Sequence, residues 1–220
     1  MPFVLRGSKD GFGLPEELRD RDGGRMHAGR FYDTDANKHT SGAGPGFRAY
    51  SWVPFDHDGD GDLDLLVGTD HGGIYLCVNE GTAKEPRFAT ALTELHDTEG
   101  DLLAVPGGYQ MPFPADWDGD GRTDLVCGSQ QGSVYWFRNT GEAGAPRFEP
   151  PRVLVDKKAA RGLGARTQVS VADYDGDGDL DLLVGDNHMG IKDGKADFHG
   201  FVWLFRRAGS PQPQAAQKER

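Results

Sequence analysis

Cysteine is almost missing from this 220-residue sequence; Cys77 and Cys127 are the two. They fall in different predicted strands at non-equivalent repeat positions, so both read as small buried apolar residues rather than as a disulfide. Long apolar runs are missing as well. None approaches the ~18 residues a membrane helix needs, so no membrane insertion is expected. The N-terminal Met-Pro-Phe-Val-Leu-Arg lacks the form of a signal peptide, and no Asn-x-Ser/Thr sequon occurs. Positive charge is in short supply: 24 Lys and Arg stand against 35 Asp and Glu, a net charge of −11. That balance argues against nucleic acid or an anionic membrane surface as partner. Sustained helical periodicity is absent. So are the catalytic signatures Gly-x-Ser-x-Gly and His-Glu-x-x-His, and the seven histidines form no motif with a mechanism. The sequence is therefore not expected to be an enzyme.

What is plentiful is glycine, 33 residues, with 13 prolines, a composition of many turns. The glycines concentrate in one pattern that occurs three times. It reads Asp56-His57-Asp58-Gly59-Asp60-Gly61-Asp62-Leu63-Asp64-Leu65-Leu66-Val67-Gly68, then Asp116-Trp117-Asp118-Gly119-Asp120-Gly121-Arg122-Thr123-Asp124-Leu125-Val126-Cys127-Gly128. The third copy is Asp173-Tyr174-Asp175-Gly176-Asp177-Gly178-Asp179-Leu180-Asp181-Leu182-Leu183-Val184-Gly185. The first aspartates stand 60 residues apart (56 to 116) and then 57 (116 to 173). A fixed period of this length marks stacked units or propeller blades.

The chemistry of the loop is that of a calcium site. Carboxylates at positions 1, 3 and 5 wrap a hard cation, Gly at position 6 makes a sharp turn, and the carbonyl of position 7 adds an oxygen. The side-chain ligands are then Asp56, Asp58, Asp60 and Asp64 in the first loop; Asp116, Asp118, Asp120 and Asp124 in the second; Asp173, Asp175, Asp177 and Asp181 in the third. Position 7 varies between Asp62, Arg122 and Asp179, as expected if it binds through its backbone carbonyl alone. Position 8 (Leu63, Thr123, Leu180) is expected to turn inward and anchor the loop. About three Ca²⁺ ions follow, and they would bring the net charge from −11 to −5. An EF-hand is excluded, because position 12 is Val67, Cys127 or Val184 rather than a bidentate Glu. The run after each loop is a short apolar strand covered on both faces. His57 sits at variable position 2, where the other copies carry Trp117 and Tyr174, so it is not read as catalytic.

Each loop is preceded by a lead-in strand: Ala49 to Phe55, Tyr109 to Ala115, Thr167 to Ala172. Pro54, Pro112 and Pro114 mark these as sheet edges, since proline donates no ladder hydrogen bond. An aromatic strand follows each loop strand (Ile74 to Asn79, Val134 to Asn139, Val202 to Arg207). A fourth strand is expected from Phe88 to Leu95 and from Phe148 to Val155. Four strands per unit make a propeller blade. Residues 47–209 thus divide into three blades, about 47–106, 107–163 and 164–209. Residues 1–46 read as a partial blade with connecting loops, in which Phe3 to Gly7 and Gly13 to Leu18 are late strands. Asp33 to Asn37 lacks the glycine and the following strand, and is not read as a site. Asp186 to Gly200 is a longer polar excursion, expected to be solvated loop, and 210–220 is expected to be a disordered tail.

The loop, the aromatic strand, Asn-x-Gly and Pro-x-Phe together resemble the FG-GAP/VCBS repeat family, and are similar to the calcium-bearing blades of integrin α-subunit propellers. The resemblance covers about residues 47–209. It implies an all-β propeller with structural Ca²⁺, in an extracellular or cell-surface protein that binds or adheres to a protein or carbohydrate ligand. Its alternatives are a purely structural domain of a larger secreted protein and the scaffold of a polysaccharide-acting enzyme. Propellers close with roughly four to eight blades, and three clear blades fall short. The expectation is an incomplete arc that self-associates or continues in a longer chain, with an N-terminal strand placed to pair beside Val202 to Phe205.

Overall fold

The computed structural model describes residues 3–4, 7–9, 11–12, 14–26, 30–33, 38–41, 48–160 and 162–207. Residues 34–37 and the tail 210–220 lie outside them. Among the described residues every regular element is a β-strand, and the strands pair antiparallel. Six short strands come first: β1 (Phe3–Val4), β2 (Gly7–Ser8), β3 (Gly11–Phe12), β4 (Glu16–Glu17), β5 (Arg30–Asp33) and β6 (Lys38–Ser41). The first blade is β7 (Ala49–Phe55), β8 (Asp64–Thr69), β9 (Ile74–Cys77) and β10 (Thr93–Glu94). The second is β11 (Met111–Ala115), β12 (Asp124–Gly128), β13 (Val134–Phe137) and β14 (Arg152–Val155). The third is β15 (Ala165–Ala172), β16 (Asp181–Lys192), β17 (Lys195–His199) and β18 (Val202–Phe205).

In the first two blades strand order follows sequence order, so the proline-bearing β7 and β11 are edges as expected. The strands leaving the loops are buried along their whole length, because they face a neighbour on both sides. Leu66, Ile74 and Leu76 pack against Leu125, Cys127, Tyr135 and Phe137 of the second blade. The opposite face of that blade, Val126 and Val134, packs against Leu182, Val184, Trp203 and Phe205 of the third. Leu65, Val67, Tyr75 and Cys77 are covered by Met26, Leu18 and Trp52. Each fully buried aliphatic or aromatic side chain contributes about 1.5–3 kcal/mol, so the arc is held by its inter-blade seams. Both cysteines are free and buried, and burial pushes their thiols up to about 12.

Four expectations need correction. The fourth strands start later than Phe88 and Phe148. These two residues make single bridges to Asn79 and Asn139, and the ladders resume at Thr93 and Arg152; Pro150 and Pro151, without N–H groups, delay the second. The excursion from Asp186 to Gly200 is no solvated loop: β16 runs on to Lys192 and β17 returns beside it, His188 opposite His199. Nor, among the described residues, does an N-terminal strand lie beside β18. Among the described residues β18 pairs with β16 alone, while β1 pairs with β4. Finally, position 8 anchors its loop in the third copy, where Leu180 packs against the core, but not in the first, where Leu63 is exposed and the neighbouring Asp62 is turned inward.

The turn after β4 repeats the turn after β10. The Asp20 carboxylate caps the turn to Gly24 as Asp97 caps the turn to Asp101. Asp20 then bridges Phe88 in parallel, just as Asp97 bridges Phe148. At the other end of the arc, the outer face of the third blade is exposed among the described residues. Val202 and Leu204 are 75% and 40% exposed, where Ile74 and Leu76 are 0% and 3%. A Cβ on Gly68 would lie 1.9 Å from the Gln110 carbonyl of the next blade, and one on Gly128 1.9 Å from that of Thr167. Gly185 meets nothing nearer than 3.8 Å.

Candidate metal centres

The three loops share one hydrogen-bond plan. The position 1 carboxylate accepts backbone N–H groups from across the turn: Asp56 from Gly59 at 2.8 Å, Asp116 from Asp120 and Gly121, Asp173 from Gly176, Asp177 and Gly178. The position 5 carboxylate accepts from the residue two further on in every copy. Such a tight wrap needs left-handed backbone twice. Positions 4 and 6 supply it, with φ of 74° and 89° at Gly59 and Gly61, and near-identical values in the other copies.

Position 9 is the buried keystone. Asp64, Asp124 and Asp181 are at most 2% exposed. One oxygen of each accepts the N–H at the end of the aromatic strand, from Asn79, Asn139 or Arg207, at 2.7–2.8 Å. The other accepts the N–H of loop position 2 at 3.1 Å. The carboxylate thus ties loop to sheet and keeps further lone pairs for a cation. Burial holds Asp64 and Asp124 above the usual carboxylate range. Burial, then the charge of Asp60, does the same to Asp62.

In the first loop Asp56, Asp58 and Asp60 come together. In the second the trio is Asp116, Asp118 and Asp124, and in the third Asp173, Asp175 and Asp181; in each, one ligand atom per residue lies within 4.8 Å of the others. Asp64, Asp120 and Asp177 stand outside these tight trios, as do the position 7 residues Asp62, Arg122 and Asp179. The position 3 oxygens Asp118 Oδ1 and Asp175 Oδ1 are buried without any hydrogen-bond partner. A buried carboxylate oxygen left unpaired is costly, and a divalent cation held by the trio would satisfy it. The donor set is all oxygen, as a hard cation requires.

Sequence reasoning missed the residues that reach these loops from the sheet. Asn79 donates its amide to Asp62 at 2.7 Å, and its carbonyl oxygen accepts the Gly81 and Arg87 N–H groups. Asn139 repeats the latter role. Asn at 15 residues beyond position 9 in two copies was the available signal. More consequential is Arg138, whose guanidinium donates to Asp118 at 2.6 Å and to Asp120 at 3.0 Å. Arg122 also pairs with Asp120. Burial acts to raise Asp120, but the Arg122 N–H and the two guanidiniums hold it below the usual range. Arg206 stands in the same place in the third blade, 3.4 Å from Asp175, whereas the first blade has Val78. Arg207 replaces the Asn, stacking over Trp117 at 4.6 Å and donating to its carbonyl.

Compared with known proteins, residues 116–184 match the family model of the FG-GAP-like repeat. No curated protein and no solved structure matches the chain. The matched segment runs from the second acidic loop into the strand that follows the third, so this stretch of the second and third blades is similar to an FG-GAP-like repeat.

Proposed function

We propose that the chain is a non-catalytic, calcium-binding β-propeller module that binds a protein or carbohydrate ligand outside the cell. The observation that carries the calcium reading is the set of three equivalent carboxylate trios, two of them with a buried oxygen that has no protein partner. Side chains at positions 1, 3, 5 and 9 and the carbonyl of position 7 would hold the ion. Bound calcium would neutralise repelling carboxylates and lock each loop onto its strand. Extracellular-type sites have Kd near 10⁻⁴–10⁻³ M, roughly, which suits the calcium level outside cells. Titration calorimetry should give about three sites in that range; no heat of binding at millimolar calcium would overturn the reading.

The partner has a second reading, favoured by the bare third blade. Leu183, Val202 and Leu204 occupy the positions that Leu66, Ile74 and Leu76 use to receive the next blade, and Gly185 leaves room for its lead-in strand. The occupant this reading assigns to it is a second copy of this chain, docked head to tail. Two copies would bring six blades together, within the range of closed propellers. Light scattering coupled to size exclusion in millimolar calcium should show a dimer, and a strictly monomeric species would refute it.

A further inference from the structure

We infer that a cleft at the base of the β16–β17 hairpin is a binding site for an anionic saccharide, a sugar bearing a carboxylate or sulfate. The cleft has a volume of about 460 Å³ and lies at the opposite end of β15 and β16 from their acidic loop. Its polar lining is Gln130, Lys157, Arg166, Asn187 and His188, and Phe198 forms part of its apolar wall.

Charge is the first argument. The chain carries −11 overall, yet no carboxylate lines this cleft. Lys157 and Arg166 have no acidic partner among the described residues, whereas Arg21, Arg122, Arg138 and Arg152 all reach carboxylates. The nearby acid, Asp186, has a side chain 0% exposed and fully occupied. It accepts from the Gly164 and Phe201 N–H groups at 2.7 and 2.8 Å, from Trp203 Nε1 at 2.7 Å and from His188 Nε2 at 3.1 Å. A local excess of positive charge in an acidic protein attracts anions.

Preorganisation is the second. Because Asp186 accepts from Nε2 of His188, Nδ1 is the ring nitrogen left for another partner, and it can take a sugar hydroxyl or, when protonated, donate to an anion. His188 is further held by His199, stacked at 5.2 Å with the rings 4° from parallel. Gly164 makes room for it, since a Cβ there would lie 2.7 Å from the imidazole. Arg166 sits at φ 54°, left-handed for a non-glycine residue, as does Tyr109 in the preceding blade at 57°. Such backbone is held only where its surroundings enforce it. Here it lays the Arg166 guanidinium over the Tyr109 ring at 5.1 Å, with Nε donating to Gln130 at 3.1 Å. The fork retains donors for a carboxylate or sulfate.

The apolar wall is the third. Phe198 is 65% exposed beside these donors. An exposed ring next to convergent polar groups suits a pyranose, which has an apolar C–H face and a polar rim.

The inference rests on the binding-module reading above, and its test keeps the two apart. The calcium-loaded full chain is titrated with a short oligogalacturonide, with dextran sulfate and with a neutral malto-oligosaccharide, and its calcium-dependent melting is recorded in parallel. The expected result is binding of the carboxylated or the sulfated probe, weakened by salt, with little binding of the neutral one. Lys157→Ala/Arg166→Ala should lower affinity at least tenfold and Phe198→Ala severalfold, each with unchanged melting. The two charged probes decide between carboxylate and sulfate. Equal binding of the neutral sugar, unaltered binding by the double variant, or no binding of either charged probe overturns the inference. If calcium still raises the melting temperature in that case, only this site is lost and the metal reading stands.

Discussion

Replacing Arg138 by valine, the residue of the first blade at that place (Val78), should tighten calcium binding in the second loop. The guanidinium contacts two expected ligands, Asp118 at 2.6 Å and Asp120 at 3.0 Å, and Arg122 pairs with Asp120 as well. A cation entering this loop must displace these arginines or share the carboxylates with them. The contacts are partly exposed, 32% on the arginine side and 19–20% on the aspartates, so each ion pair is weak and screened. Losing two of them together corresponds to roughly a tenfold gain in affinity. Arg122→Asp should add a further severalfold gain, since it also supplies a negative charge. Arg206→Val in the third loop should gain less, because the Arg206–Asp175 contact is 3.4 Å long. The expected order of affinity is therefore first loop, third loop, second loop. The assay is a calcium titration of single-site chains, with Asp58→Ala and Asp175→Ala silencing the other two loops when the second is measured. An unchanged or weaker second site in Arg138→Val, or a wild-type second loop that binds tightest, would refute the competition argument.

Chelation should lower the melting temperature, because binding to the folded state alone stabilises it by ~2.7 kcal/mol per site at 100-fold over Kd; equal calorimetric melts with and without chelator would contradict this. Gly128→Ala should destabilise strongly, since its Cβ would sit 1.9 Å from the Thr167 carbonyl, while Gly185→Ala should melt like the parent yet lose self-association by light scattering. Phe137→Ala, fully buried between the first two blades, should cost about 3–5 kcal/mol in denaturant unfolding.

Much of this molecule was legible because its key interactions are short in sequence. Asp56 reaches the Gly59 N–H and Asp60 the Asp62 N–H within one loop, so the spacing of Asp and Gly carries the geometry with it. The blade strands were legible for a similar reason. Leu65 to Val67 and Ile74 to Cys77 are buried on both faces, and a continuous apolar run states that directly. The hairpin of β16 and β17 was hidden because its residues are exposed; Met189 and Ile191 are 77% and 83% accessible, so no buried face imposed an apolar pattern on a polar sequence. Arg138 and Arg206 were hidden because they reach Asp118 and Asp175 from 20 and 31 residues away, through sheet register alone. Sequence determined which loops carry carboxylates and which strands want two neighbours. Tertiary structure decided which carboxylates already have an arginine and which strands have both neighbours. The same Leu-Leu-Val-Gly is sealed in the first blade and open on one side in the third, because burial belongs to the stack and not to the strand.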